Sequence, residues 1–321
     1  MKNKSSNKLT ATFFDRKTYV VHYVILKLYL KLGMKIAKTF RVIKFRQSQF
    51  LKNYIDYCTE MRQSSQTDFK KRWFKLMANC IYGKFIENTS KHLQVKFAQT
   101  EEKLVHYTTS PRFMNNLIIS PDLVAVFLQS SSTIAKQAYA IGFSILDLSK
   151  AFMYTSYYEN IVPAFDGKCK ALVSDTDSLL ISTPFTTNPF FKFIHILDTS
   201  NFDLDHPLFS ESRRSELGYF KSETGSRLVT RFVGLRSKCY AFETHVSSDT
   251  IKCKGVSKIF KNKIPLSNFE QCIRIITSIR VNQFSMHSVN HSLRIVNSNK
   301  LAFSCYDDKR YILPFGIHTL P

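Results

Sequence analysis

From Ser48 to about Asn88 the apolar residues recur at helical spacing, with one break at Ser64-Ser65-Gln66-Thr67-Asp68, where Thr67 or Asp68 can cap a second helix. Before this pair, β-branched and aromatic clusters at 19 to 23 and 39 to 45 flank a helical pattern near Ile25 to Leu32, which predicts strand, helix, strand. After it, short strands are expected at 92 to 98 and 103 to 107, and Pro111 and Pro121 punctuate the region between these strands and the next helix. A long helix is predicted from about Ser131 to Tyr158, because Ile134, Ala138, Ile141, Ile145 and Leu148 recur three or four residues apart. Strands come next at 170 to 174 and 178 to 182 around an acidic turn, then near 227 to 234, 238 to 243 and 250 to 256, and a helix from about Leu266 to Arg280. The basic and aromatic segments beyond have no assignable pattern. Antiparallel strands covered by a helix make the fold class α+β.

Composition narrows the partners. Forty-six Lys and Arg face 24 Asp and Glu, a formal charge of +22, which points to a polyanion and first to nucleic acid. The longest apolar stretch, Tyr19 to Met34, contains His22, Lys27 and Lys31 and is a poor membrane span, so no membrane partner is expected. The basic start lacks an apolar core and cleavage site, which implies an intracellular setting, the nucleus included. The seven cysteines are scattered and form no Cys-x-x-Cys pair; they are expected to be buried thiols rather than disulfides or zinc ligands. Only 9 Gly and 9 Pro occur, with no repeat, so no long flexible linker is expected.

Two segments carry candidate chemistry. The first is Lys75-Leu76-Met77-Ala78-Asn79-Cys80-Ile81-Tyr82-Gly83, inside the second helix. On a helix, Lys71, Lys75, Asn79 and Tyr82 form one polar stripe, and Trp73, Leu76, Met77 and Cys80 an apolar stripe expected to pack. Lysines one turn apart repel unless an anion lies between them, and nucleotide phosphates supply one. Gly83 suits either a close approach to a base pair or a helix stop. A solvated basic face is the plainer alternative.

The second is Ser174-Asp175-Thr176-Asp177-Ser178. Apolar triplets on either side, Ala171 to Val173 and Leu179 to Ile181, place the two carboxylates at the tip of a hairpin. Their mutual repulsion is offset by a divalent cation, and oxygen donors that share substrate phosphates suit Mg²⁺. An ordinary Asx-type turn is the alternative.

Together these residues resemble the family B DNA polymerases, most closely the protein-primed branch of viruses, linear plasmids and Polinton/Maverick transposons. The Lys-x-x-x-Asn-Ser-x-Tyr-Gly fingers motif is similar to Lys75 to Gly83, and the Tyr-x-Asp-Thr-Asp-Ser palm motif to Val173 to Ser178. A Lys-x-Tyr motif looks like Lys238-Cys239-Tyr240, and Lys254-Gly255-Val256 comes after it in the expected order. The likeness covers about residues 16 to 260. It implies a partial right hand with fingers helices, an antiparallel palm sheet and a thumb-like C-terminal part. The divisions would be a partial palm or insertion region at 1–66, the fingers helix at 67–90, a small inserted subdomain at 91–125, palm at 126–262 and thumb at 263–321.

The resemblance also implies roles. Asp175 and Asp177 would be the catalytic and metal-binding carboxylates, Asp177 the main ligand. Lys75, Asn79, Tyr82 and Gly83 would bind the incoming deoxynucleoside triphosphate. Lys71, Lys238, Tyr240 and Lys254 would hold the primer–template DNA, and a terminal protein could act as primer. Lys75 and Asp177 must then share one cleft.

Departures count as well. The family's other catalytic carboxylate belongs to an Asp-x-x-Ser-Leu-Tyr segment that is absent from residues 1 to 74, and no exonuclease region is present. Cys80 stands in the Ser position, Val173 in the Tyr position, and Ser174 where Thr or Gly is frequent. Activity of this chain alone is therefore not expected, and a non-catalytic DNA-binding remnant is the second reading. His287 and His291, and Asp203, Asp205 and His206, are read as surface histidines and a polar loop, without chemistry.

Overall fold

The β-branched clusters expected as strands at 19 to 23 and 39 to 45 have no neighbouring strand to take their backbone N–H and C=O groups; 19 to 22 and 39 to 45 remain irregular, and Tyr23 joins the helix that follows. Val20, Phe40, Val42 and Phe45 are exposed there. The strand, helix, strand expectation thus reduces to one helix, α1 (Tyr23–Lys31), with Ile25 and Leu28 buried and His22 Nδ1 accepting from Val24 N–H. The computed structural model describes residues 15–88, 92–130, 138–184, 188–246, 250–257, 264–275, 277–289, 292–305, 311–312 and 319–320. The chain forms two units, one of residues 1–42, 149–287 and 293–321, the other of 43–148 and 288–292.

The second unit contains the expected helix pair, α2 (Lys52–Ser64) and α3 (Asp68–Phe85), and Thr67 does cap α3, its side chain accepting from Lys70 N–H. The rings of Tyr57 and Phe74 meet edge-on across the pair, 6.2 Å apart. A three-stranded antiparallel sheet comes next in the order β1–β3–β2, from β1 (Leu93–Ala98), β2 (Phe113–Ser120) and β3 (Leu123–Gln129). The strand expected at 103 to 107 is a helix instead, α4 (Glu101–Thr108). Thr100 accepts from Lys103 N–H, and Glu101 and Glu102 sit in the first turn, where the helix dipole favours carboxylates. Leu104 and Tyr107 of α4 then pack on Val124, Val126 and Leu128 of β3.

The long helix, α5 (Tyr139–Thr155), passes from the second unit into the first; residues 131 to 137, with Ile134, lie outside the described residues. Its inward side differs from the expected stripe. Leu148 is exposed, whereas Asp147, Ala151 and Met153 are buried. Gly142 is buried against Phe85 and Ile86, and an added Cβ would collide with the Ile86 side chain.

In the first unit α5 continues through a π-helical turn (Ser156–Ile161) into α6 (Val162–Ala164). Ile161, Phe165, Cys169, Phe193 and Leu197 make a core with the 3₁₀ segment Pro189–Ile196. The hairpin of β4 (Lys170–Asp175) and β5 (Ser178–Ser182) matches expectation. A short parallel bridge joins β6 (Leu197–Asp198) to β7 (Phe220–Lys221). The expected later strands appear as β8 (Val229–Arg236), β9 (Cys239–Thr244) and β10 (Thr250–Cys253), an antiparallel sheet in the order β10–β9–β8.

The helix α7 (Leu266–Arg274) stops before the expected Arg280 and buries Leu266, Phe269 and Cys272. Segments beyond it that lacked a pattern pair as two long strands, β11 (Ser278–Val289) and β12 (Ser292–Ser304). Phe303 closes over Phe269 at 4.7 Å, and with Cys239, Ala241 and Cys253 these side chains form the largest buried cluster among the described residues. Two-residue strands β13 (Tyr311–Ile312) and β14 (Thr319–Leu320) pair near the C-terminal end. The observed class is mixed α+β with several antiparallel sheets. No helix among the described residues is long and apolar enough to cross a membrane.

Candidate functional site

A two-residue turn needs φ > 0 where it tightens, and Thr176 supplies it at φ 60° between Asp175 and Asp177. Asp175 pairs with Ser178 at the end of the ladder, and Asp177 N–H donates to Asp175 O at 2.7 Å. Thr176 Oγ1 leans toward Asp175 Oδ1 (3.5 Å), and Ser178 Oγ donates to Asp175 O (3.3 Å). The two carboxylates therefore flank a turn that the chain closes by itself. Behind the hairpin, Tyr157 OH accepts from Ala171 N–H at 3.0 Å, beside the register shift between Ala171 and Val173. Burial, then the neighbouring Cys169, push the Tyr157 hydroxyl above its usual pKa, so it stays a neutral anchor.

The third motif meets the second. Lys238, at φ 60° in the β8–β9 turn, places Nζ 2.5 Å from Asp175 Oδ1 and 2.6 Å from Oδ2. The ammonium thus bridges both oxygens of a half-exposed carboxylate 63 positions upstream. Lys254 N–H donates to Lys238 O at 3.0 Å, so Lys254 joins the same corner. Tyr240 lies next on β9; burial raises its pKa, and the carboxylates of Glu223 and Asp175 add to this while Lys238 opposes them. Asp175, Lys238, Tyr240 and Lys254 are brought together within one unit.

The basic helix has a different surface from the one its sequence suggests. Lys75, Asn79 and Gly83 are exposed, while Lys71 and Tyr82 are half-buried, so the polar stripe straddles the edge of the packed face. The apolar stripe does not pack as expected: Trp73 and Leu76 are more than half exposed, and α3 has no fully buried residue. The partly buried residues are instead Phe74, Met77, Ala78, Ile81 and Phe85, on the flank where Phe74 meets Tyr57 of α2 and Met77 O accepts from Tyr54 OH. Gly83 is not a helix stop, since α3 continues to Phe85, and a Cβ there would meet open space. Cys80 is exposed, Cys305 is partly exposed, and the other five cysteines are buried; all seven are free thiols. Lys75, Asn79 and Tyr82 belong to one unit and Asp175 and Asp177 to the other.

Two carboxylates give an all-oxygen donor set of the kind Mg²⁺ takes when water and phosphate complete its shell. Asp177 is exposed and can turn to a cation, but Asp175 is engaged by Lys238. Among the described residues, no group of three or more His, Cys, Asp or Glu is arranged to hold a metal. Asp203, Asp205 and His206 form a polar loop as expected; His206 faces Asn188 at 3.1 Å and accepts from Leu208 N–H. His287 lies on the strand β11, bonded to Ser285, and His291 is outside the described residues.

Sequence reasoning missed two supports. Asp198, almost fully buried, accepts from Ser200 N–H, Ser215 N–H and Lys221 Nζ at 3.0 to 3.2 Å. Burial pushes its pKa up, but the hydrogen bonds from Ser200, Ser215 and Lys221 outweigh it and hold the carboxyl below its usual range. Gln283, also buried, bonds Gly255 O and Ser257 N–H (both 3.0 Å) and fixes the segment after Lys254. Apart from Ser200, two positions from Asp198, the partners come from 17 to 28 positions away, so the sequence carries little local signal for either.

No family model matches the chain, and no curated protein or solved structure matches it.

Proposed function

We propose that the chain is part of a DNA-directed DNA polymerase of the protein-primed family B type, in which a primer 3′ end on template DNA attacks a deoxynucleoside triphosphate. One observation carries this reading: Lys238 of the Lys-x-Tyr segment reaches Asp175 of the Asp-Thr-Asp turn, with Tyr240 and Lys254 beside them. That three motif segments far apart in the chain meet at one corner supports this reading.

In this reading Asp177 and Asp175 would hold Mg²⁺, which would activate the attacking hydroxyl and neutralise the leaving pyrophosphate. Lys75 neutralises triphosphate charge, and Asn79, Tyr82 and the bare Gly83 surface contact sugar and base. Lys71, Lys238 and Lys254 bind DNA phosphates, and the Tyr240 ring, kept neutral, packs against the primer end. A terminal protein supplying the first hydroxyl fits the same chemistry.

The second reading is a DNA-binding remnant without catalysis. It leaves the Lys238–Asp175 pair as it stands, whereas catalysis requires the ammonium to yield that carboxylate when Mg²⁺ binds. Primer extension with Mg²⁺ separates the two. Incorporation that is lost in Asp177→Ala, and that needs more nucleotide in Lys75→Ala, supports the enzyme. DNA retention without incorporation supports the remnant, and no DNA binding refutes both.

A further inference from the structure

The face of α3 turned away from α2 carries a feature that neither the acidic hairpin nor the Lys75 motif uses. Phe69 and Trp73, one turn apart, stack with ring centroids 6.3 Å apart and planes 20° from parallel. They are 74% and 51% exposed, and Leu76 extends the same ledge at 54%. Large aromatic side chains left in water forgo much of their burial energy, so two stacked in the open need another reason. Cations supply one: exposed Lys70 and Arg72 lie on opposite flanks of the aromatic pair by helical geometry, with Lys75 a turn further on. Asp68 is the helix's only acidic residue, and no acidic side chain among the described residues pairs with Lys70, Lys71, Arg72 or Lys75.

We propose that the Phe69–Trp73 ledge is a stacking platform for an unpaired base of single-stranded nucleic acid, whose phosphates lie against Lys70 and Arg72. Every base has a π face, so the platform takes strands without regard to sequence, and the flanking cations track the backbone on either side. A duplex fits poorly, because its bases are already stacked on one another. This rests on the nucleic-acid part of the proposed function but not on the acidic hairpin.

Trp73 is the chain's sole tryptophan, so its emission reports on this ledge alone. The full chain is titrated with oligo(dT), and with a duplex of equal length, while tryptophan fluorescence and the anisotropy of a labelled strand are followed together. Saturable quenching by the single strand but not the duplex is expected. Phe69→Ala should weaken single-strand affinity about tenfold, the loss of one base–aromatic contact. Trp73→Phe, which keeps an aromatic ring, should hold affinity within about threefold by anisotropy, on the same stacking principle. Both positions are exposed, so folding is preserved, which circular dichroism checks.

Binding with no change in Trp73 emission, or affinity unaltered in Phe69→Ala, overturns the platform. Equal quenching by duplex overturns it in favour of plain phosphate contact. Emission that depends on protein concentration and not on DNA shows that a second copy of the chain covers the ledge instead. Asp177→Ala should leave the quenching unchanged. Quenching without primer extension therefore favours the remnant over catalysis and leaves the platform standing, and extension without quenching overturns the platform and leaves the polymerase reading standing.

Discussion

Replacing Lys238 by methionine keeps the aliphatic stem and removes the charge from both oxygens of Asp175, at 2.5 and 2.6 Å. A divalent cation bound to that carboxylate with metal–oxygen distances of about 2.1 Å would lie roughly 4 to 5 Å from the ammonium if Lys238 stayed in place. A charge of +1 facing +2 at about 4.5 Å costs about 2 kcal/mol in a dielectric of about 80, and physiological salt reduces this to about 1 kcal/mol. Lys238→Met should therefore bind Mn²⁺, a spectroscopic substitute for Mg²⁺, about five- to thirtyfold more tightly than the wild type. The fall in the electron paramagnetic resonance signal of free Mn²⁺ measures it on the full chain. The gain should shrink as salt rises and vanish when Asp175→Ala is added. Affinity that is unchanged or weaker in Lys238→Met would falsify the competition between ammonium and cation. A gain that survives removal of both aspartates means that the metal binds elsewhere.

Other consequences can be measured without DNA. Asp198→Asn turns one acceptor oxygen into an amide donor among the donors of Ser200, Ser215 and Lys221, and leaving these hydrogen bonds to a buried side chain unmade should cost about 2 kcal/mol in urea unfolding. Because the folded carboxyl titrates below its unfolded value, its contribution is fully present above the unfolded pKa and is lost as pH falls through the folded one. Asp198→Asn should thus flatten stability against pH in the acid range below the ordinary aspartate pKa and leave the slope near neutrality unchanged. Phe269→Ala, which empties a fully buried ring position against Phe303, should cost about 3 to 5 kcal/mol, and a loss below about 1 kcal/mol would contradict the assigned core.

How much was legible depends on the range of the interaction. The cap at Thr67 and the breaks around α2 and α3 were legible, because a cap is satisfied within three residues. The Asp-Thr-Asp tip was legible too, since alternation and turn length fix a hairpin locally. At 103 to 107 the β-forming Val105 and Tyr107 suggested a strand, but Thr100, Glu101 and Glu102 form a helix start, and that local signal prevailed. The β-branched residues at 19 to 23 and 39 to 45 had the propensity for strands and found no partner. On α3 the apolar stripe through Trp73 and Leu76 suggested a packed face, yet only the position of α2 decides which flank is covered.

Sequence alone determined the α2–α3 helix pair, the acidic hairpin and the residue types proposed to meet phosphate or a cation, because each arises from bonds and periodicities spanning a few positions. Tertiary structure alone decided that Lys238 neutralises Asp175, that Asp198 gathers Ser215 and Lys221, and that Phe69 and Trp73 face water. Those outcomes depend on which distant segment arrives at a given surface, and that is fixed only when burial of the whole chain is balanced against its entropy.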